Sequence, residues 1–251
     1  MSEFLLLASA LAAVFLLLVV FLFSRRSVAT RRGSSVLLVG AADAGKTSIF
    51  SKLAYDNPLP SHTSLQTNVS TFLLEGEKRI QIVDTPGHPR IRDQFRDHLE
   101  DARVVVFVVD SSTVSRNGAE VAEHLHLIMH AISNLPASHK LPTLLVLAHK
   151  ADLLKTTSTT NEASSGTHAL NRVRTVLERE LEKRKTVQAN GLGVEKLGED
   201  AEKSDVMGGL ECSGPTFTFD HWDGGECLLI ATSSKTEGGL DSLSDALVAS
   251  Q

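Results

Sequence analysis

Cysteine is scarce in this 251-residue chain: Cys212 and Cys227 are the only two. That excludes a disulfide framework and suits a reducing compartment. A basic excess is also missing, since 25 Lys and Arg stand against 30 Asp and Glu, for a net charge of −5. Direct binding of nucleic acid is therefore not expected. No internal repeat is visible, so a solenoid is excluded. Charge is absent altogether from Phe4 to Phe23. A water-soluble domain does not leave such a run exposed, and as a helix it would be about 30 Å long, one bilayer core. Only Met1-Ser2-Glu3 precede it, whereas a cleaved signal peptide wants a basic start and a shorter apolar stretch. The basic cluster of Arg25, Arg26, Arg31 and Arg32 comes after the run. The positive-inside rule then places residues 1–3 outside the cytosol and everything beyond residue 24 within it. The expectation is one transmembrane helix over 4–23 in contact with lipid, a basic tether over 24–34, and a domain over 35–251. Hydrophobic content of 42% suffices for a full core.

The domain opens on Ser35-Val36-Leu37-Leu38-Val39, a short run rich in branched residues that reads as a buried strand. It leads into Gly40, Ala41, Ala42, Asp43, Ala44, Gly45, Lys46 and Thr47, which is G-x-x-x-x-G-K-T. Ser48 follows, and then Ile49, Phe50 and Leu53 at helical spacing. Strand, loop and helix are the context a phosphate-binding loop needs. Glycines let successive N–H groups turn inward on an anion. The new helix adds the positive end of its dipole. In such a loop the lysine reaches the β- and γ-phosphates and the threonine hydroxyl ligates Mg²⁺.

Downstream, Val69–Leu74 and Arg79–Val83 flank Glu75-Gly76-Glu77-Lys78 and read as a hairpin. Arg103–Asp110 and Thr143–Ala148 read as strands buried on both faces. Ala119–Leu135 and Thr167–Lys185 carry apolar residues at helical spacing. Cys227–Ala231 reads as a late strand and Leu240–Val248 as a final helix. The alternation predicts an α/β fold with a mostly parallel six-stranded sheet and helices on both faces. Residues 155–166 and 187–215 lack periodicity and read as polar surface insertions.

Asp84-Thr85-Pro86-Gly87-His88 stands at the end of the strand after the hairpin turn. A carboxylate there can hold Mg²⁺ through water, and the Gly87 N–H is open to a γ-phosphate. His149-Lys150-Ala151-Asp152 ends the next buried strand but one and resembles the Asn-Lys-x-Asp guanine reader of GTPases, with histidine in place of asparagine. A carboxylate such as Asp152 can accept two hydrogen bonds from the guanine edge, an arrangement adenine cannot supply. Ser233-Ser234-Lys235 resembles the Ser-Ala-Lys loop that backs the base, and Cys212-Ser213-Gly214 competes for that role. Thr63, in a Ser- and Thr-rich loop, stands where such GTPases close a threonine over Mg²⁺ and the γ-phosphate. The expected ligands are GTP and Mg²⁺, with Thr47, Thr63 and Asp84 around the metal. His88 is the local candidate to orient the attacking water.

The order of these pieces resembles a Ras-like small GTPase of the P-loop NTPase class over residues 35–251. An apolar run before the domain, Asp43 in the phosphate loop, Asp-Thr-Pro-Gly-His, a long polar insertion and Phe217-Thr-Phe-Asp-His-Trp-Asp-Gly-Gly narrow the resemblance further. Together they are similar to the β subunits of the signal recognition particle receptor. The resemblance implies a protein of the endoplasmic reticulum membrane with residues 1–3 lumenal. It implies a GTP-bound cytosolic domain that docks the N-terminal domain of the receptor α subunit for co-translational targeting, and contact with ribosome or translocon through that assembly. Pro89 beside His88 and the methyl of Ala42 near the γ-phosphate position point to slow hydrolysis. Two other readings are a trafficking switch with efficient turnover and a scaffold with a decayed nucleotide site.

Overall fold

Short apolar runs bounded by turns become the strands of one six-stranded sheet. The computed structural model describes residues 33–55, 64–74, 78–154, 162–191, 209–210, 212–236 and 238–250. The strands are β1 (Ser35–Gly40), β2 (Asn68–Leu74), β3 (Lys78–Asp84), β4 (Ala102–Asp110), β5 (Thr143–His149) and β6 (Cys227–Ala231). Their order is β2-β3-β1-β4-β5-β6. β2 and β3 pair antiparallel as the expected hairpin, and every other neighbouring pair is parallel. Parallel neighbours require crossovers, whose helices are α1 (Lys46–Tyr55), α2 (Arg96–Leu99), α3 (Val114–Ser133) and α4 (Glu162–Gly191); α5 (Asp241–Ala249) follows the last strand. The expected membrane helix over 4–23 lies outside the described residues. Among the described residues no helix is long and apolar enough to cross a membrane.

Two apolar layers cover the sheet. One is built by α3 and α4, with Leu125, Ile128, Val173 and Leu177 against Phe107 and Val105. The other is built by α1 and α5, with Ile49, Phe50, Leu243 and Leu247 against Val36, Leu38 and Val106. β1 and β4 supply side chains to both layers, which is why their sequences are apolar without alternation. Burial of each large aliphatic or aromatic side chain contributes about 1.5–3 kcal/mol.

Some boundaries differ from those the sequence suggests. α3 starts at Val114, five residues before the apolar spacing becomes regular, and bends at Asn117 (φ −111°, ψ 18°). α4 runs from Glu162 to Gly191, so it takes in residues 162–166 and 187–191 that read as parts of polar insertions. A helix whose middle is held by a buried stripe extends cheaply into polar flanks, because the nucleation cost is already met. At the end of the second insertion, Leu210 is buried in the α3–α4 layer and Cys212 forms a bridge with Trp222.

Polar side chains also enter the interior, His124 among them. His124 of α3 is buried between the rings of Phe95 and Phe107, and its Nε2 has no hydrogen-bond partner. Burial first, then the charges of Arg92 and Lys46, push its pKa down to about 3. The unfolded chain takes up this proton near pH 6.5 while the folded chain does not, so the linked stability is lost as pH falls below that value. Denaturant unfolding of the full-length chain in detergent should show about 2 kcal/mol of His124-linked loss between pH 7 and pH 5. His124→Leu should flatten that part of the profile; an unchanged slope would show that His124 carries no such linkage.

Candidate nucleotide-binding site

The parallel strands all end on the same edge of the sheet, and the loops leaving that edge carry the site. β1 ends at Gly40, β3 at Asp84, β5 at His149 and β6 at Ala231. Register makes these tips neighbours: Leu38 lies beside Asp84, and Ala148 beside Ala231. Between them is a cleft of about 350 Å³, lined by Ala42, Asp43, Gly45, Lys46, Thr47, Ser48, Ser64, Gly87, His149, Lys150, Asp152, Leu153, Ser234 and Lys235. An open crevice at the carboxyl ends of parallel strands is where α/β sheets bind ligands.

The loop over residues 40–47 wraps its own lysine. Lys46 Nζ donates to the carbonyls of Gly40 (2.9 Å) and Ala41 (2.8 Å). Burial lowers its pKa to about 8, against the opposing pull of Asp84 and Asp43. Gly87 approaches so closely that a Cβ there would lie 2.5 Å from Lys46 Nζ and 2.6 Å from the Ala42 nitrogen. Glycine at 87 is therefore a packing requirement as well as a means of exposing an N–H. Thr85 anchors this segment, donating from both its N–H (3.1 Å) and its hydroxyl (2.8 Å) to the Leu38 carbonyl.

Asp84 is fully buried and its pKa is raised, chiefly by burial. Oδ2 accepts from the Thr47 hydroxyl (2.8 Å) and from Asn68 Nδ2 (3.3 Å), while Oδ1 has no partner. A buried carboxylate oxygen left unmatched beside a threonine hydroxyl suits a hydrated Mg²⁺, which takes few protein ligands and keeps several waters. Among the described residues no group of three or more His, Cys, Asp and Glu is placed to hold a metal ion. Thr63 lies outside the described residues. Ser64, the next residue, stands 3.0 Å from the Thr47 hydroxyl and was not distinguished in the sequence, where it is one of several Ser and Thr in that loop.

The opposite half of the cleft is built from β5 and β6. Asp152 Oδ1 accepts a 2.6 Å bond from the Ser233 hydroxyl, which in turn accepts from the Lys235 N–H. Ser213, the competing serine, instead donates to Asp223. Lys150 has a left-handed backbone (φ 58°), as does Asp43 (φ 59°). The two are joined, since Lys150 Nζ donates to the Asp43 carbonyl at 2.7 Å and pairs with Asp110 at 2.6 Å. Burial would raise the pKa of Asp110, but bonds from Lys150 and Ser112 win and lower it. Asp110 was not anticipated, although a carboxylate at a strand tip was the available signal.

His149 is buried, with Nδ1 3.0 Å from the Thr232 hydroxyl. Its ring lies against the phosphate loop, so that a Cβ on Gly45 (φ +104°) would come within 2.5 Å of the imidazole. Burial, helped by Lys150, lowers its pKa to about 4, so it is neutral at pH 7. His88 is exposed and its Nδ1 accepts from the Arg90 N–H at 3.3 Å. Arg92, near it in sequence, is bound to Glu123 at 2.8 Å.

Known proteins share both sequence and fold with this chain. A Dictyostelium discoideum signal recognition particle receptor subunit beta is 28% identical over 217 residues, covering 86% of this chain and 68% of that protein. The chain spans about half the length of the mammalian receptor β subunits it also matches. Among solved structures, the mammalian signal recognition particle receptor superposes with a TM-score of 0.68 at 24% identity, covering 86% of this chain and all of that one. A Chaetomium thermophilum receptor SRb-GTP/SRX complex superposes with a TM-score of 0.58 at 16% identity, covering 85% of this chain and 98% of that one. The family model for the signal recognition particle receptor beta subunit matches residues 31–225, and the chain belongs to that family.

Proposed function

We propose that this chain binds GTP with Mg²⁺ in the cleft described above and uses the bound nucleotide chiefly to order a docking surface for the receptor α subunit at the endoplasmic reticulum membrane. The observation that carries the nucleotide assignment is the convergence of two distant segments. A buried lysine and an unmatched Asp84 oxygen lie at one end of the cleft, and a serine-braced Asp152 at the other. The first pair suits a magnesium-bound triphosphate and the second suits the N1–H and amino group of guanine. The α-subunit partner is supported by the family and by the SRX-bound relative. Anchoring through residues 4–23 is supported by the uncharged run and the basic cluster after it.

In this reading Lys46 would neutralise phosphate charge, with help from backbone N–H groups of the loop over 40–47. Thr47 and Asp84, with Thr63 from the neighbouring loop, would hold Mg²⁺, which supplies charge neutralisation at the β- and γ-phosphates. Gly87 would offer its N–H to the γ-phosphate, the Lys150 stem would lie along the base, and Ser234 and Lys235 would back it. Neutral His149 braces the phosphate loop against Thr232. Hydrolysis is slow in this reading. His88 is exposed and its Nδ1 accepts the Arg90 N–H, so that nitrogen is engaged within its own loop rather than turned to a water at the γ-phosphate. Arg92 is held by Glu123 and is not available as a finger.

Five outcomes check this. GTP bound to the full-length chain should resist an equal concentration of ATP. Asp152→Ala should lower GTP affinity at least ~100-fold, as expected for two charge-assisted bonds, and Ser233→Ala about fivefold. Lys46→Ala should abolish both GTP retention and capture of the α subunit; ATP displacement or unaffected capture would overturn the reading. Single-turnover hydrolysis should run on the order of 10⁻³ s⁻¹ or slower without a partner, and rapid turnover would contradict the role given to His88. Alkaline carbonate should leave the chain in the membrane pellet, whereas release into the supernatant would remove the anchor.

A further inference from the structure

The phosphate half of the cleft and the base half are covalently remote, yet one face of α1 touches both. Lys46 and Thr47 occupy the first turn of this helix. Ser48 and Lys52, four residues apart and so on one side of the helix, turn toward the loop between β6 and α5. The Ser48 hydroxyl donates to the Ser234 hydroxyl at 3.1 Å. Lys52 Nζ donates to the Ser234 carbonyl at 3.4 Å and to the Thr236 carbonyl at 3.2 Å. The same loop is closed on itself by the Ser233 N–H bonding to the Gly239 carbonyl at 3.0 Å, and it presents Ser233 to Asp152. Among the described residues β6 is the edge strand, and no further strand buttresses the loop from outside.

We propose that Lys52 is a positioning residue that sets how long guanine nucleotide stays bound, by tying the base-backing loop to the helix that carries the phosphate ligands. The proposal rests on the nucleotide reading above and goes beyond it. Lys52 does not line the cleft and acts through the 233–236 loop. An ammonium shared between two carbonyls restrains the loop at two points from a helix that is itself packed into the core by Ile49 and Phe50. Without it, Ser233 and the residues behind the base can swing away from Asp152 while the phosphates remain held. Base contacts are then lost first and the ligand leaves faster. Both bonds are long (3.4 and 3.2 Å) and the ammonium is only partly buried, so their loss corresponds to roughly a tenfold change in lifetime.

The test uses the full-length chain in detergent, loaded with a fluorescent GDP and chased with excess unlabelled GDP. Lys52→Met should raise the dissociation rate about tenfold, Lys52→Arg should return it to within about twofold of wild type, and Ser48→Ala should raise it about threefold. Binding of magnesium tripolyphosphate, which has no base, should be the same in wild type and Lys52→Met; a merely structural role in folding α1 would weaken both ligands together. A dissociation rate in Lys52→Met within twofold of wild type overturns the proposal, as does an equal loss of tripolyphosphate binding. Failure of the wild-type chain to retain any guanine nucleotide would instead overturn the underlying nucleotide assignment, and it is seen before any variant is made.

Discussion

The ammonium of Lys46 is buried against two carbonyls of its own loop and beside the Asp84 carboxylate, and keeping it there constrains everything else at this edge of the sheet. A buried cation is costly unless hydrogen-bonded and matched by charge. The loop must curl to offer its carbonyls, the neighbouring strand β3 must deliver Asp84, and residue 87 must lack a side chain so that its backbone can close over the amine. Burial moves both partners toward neutrality, Lys46 downward and Asp84 upward. A triphosphate with its metal would reverse that tendency, since it would bring negative charge to the lysine and positive charge to the aspartate. The site is thus tuned toward a ligand carrying both signs.

The second constraint is between loops. Lys150 and Asp43 both adopt a left-handed backbone that non-glycine residues rarely take, and they hold each other through one hydrogen bond. His149 packs its ring where Gly45 leaves room and reaches Thr232 behind it. Phosphate loop, β5 tip and β6 tip are therefore one interlocked unit. Histidine in place of the asparagine of related GTPases is accommodated because it is neutral, buried and matched at Nδ1. α1 adds the remaining link through Ser48 and Lys52. Outside this unit, the segment after Gly87 is fastened to the helical layer by Arg92 and Glu123, which leaves His88 exposed and turned toward Arg90.

The strands were legible because both faces of β1, β4 and β5 are buried, which forces continuous apolar runs of strand length. The hairpin was legible from its turn. Helix ends were not: residues 162–166 and 187–191 carry no apolar period, and they are helical because the stripe from Ala169 to Leu181 fixes the axis they continue. Ser64 was hidden among other hydroxyl residues of its loop, and Thr63 lies beyond what the structure describes. The choice between Ser213 and Ser233 was open in the sequence, and the parallel pairing of β5 with β6 brings Ser233 to Asp152.

From the sequence alone came the phosphate loop, the order of strands and helices, the uncharged N-terminal run and the acidic residue suited to guanine, because each is a local pattern of spacing or composition. Only the tertiary structure decided that Asp84 keeps one oxygen unmatched, that His149 is neutral and braced, that Arg92 is engaged elsewhere, and that Lys52 reaches the far loop. Those are contacts between residues tens to nearly two hundred positions apart, and their distances exist only once the sheet has set the register of its strand tips.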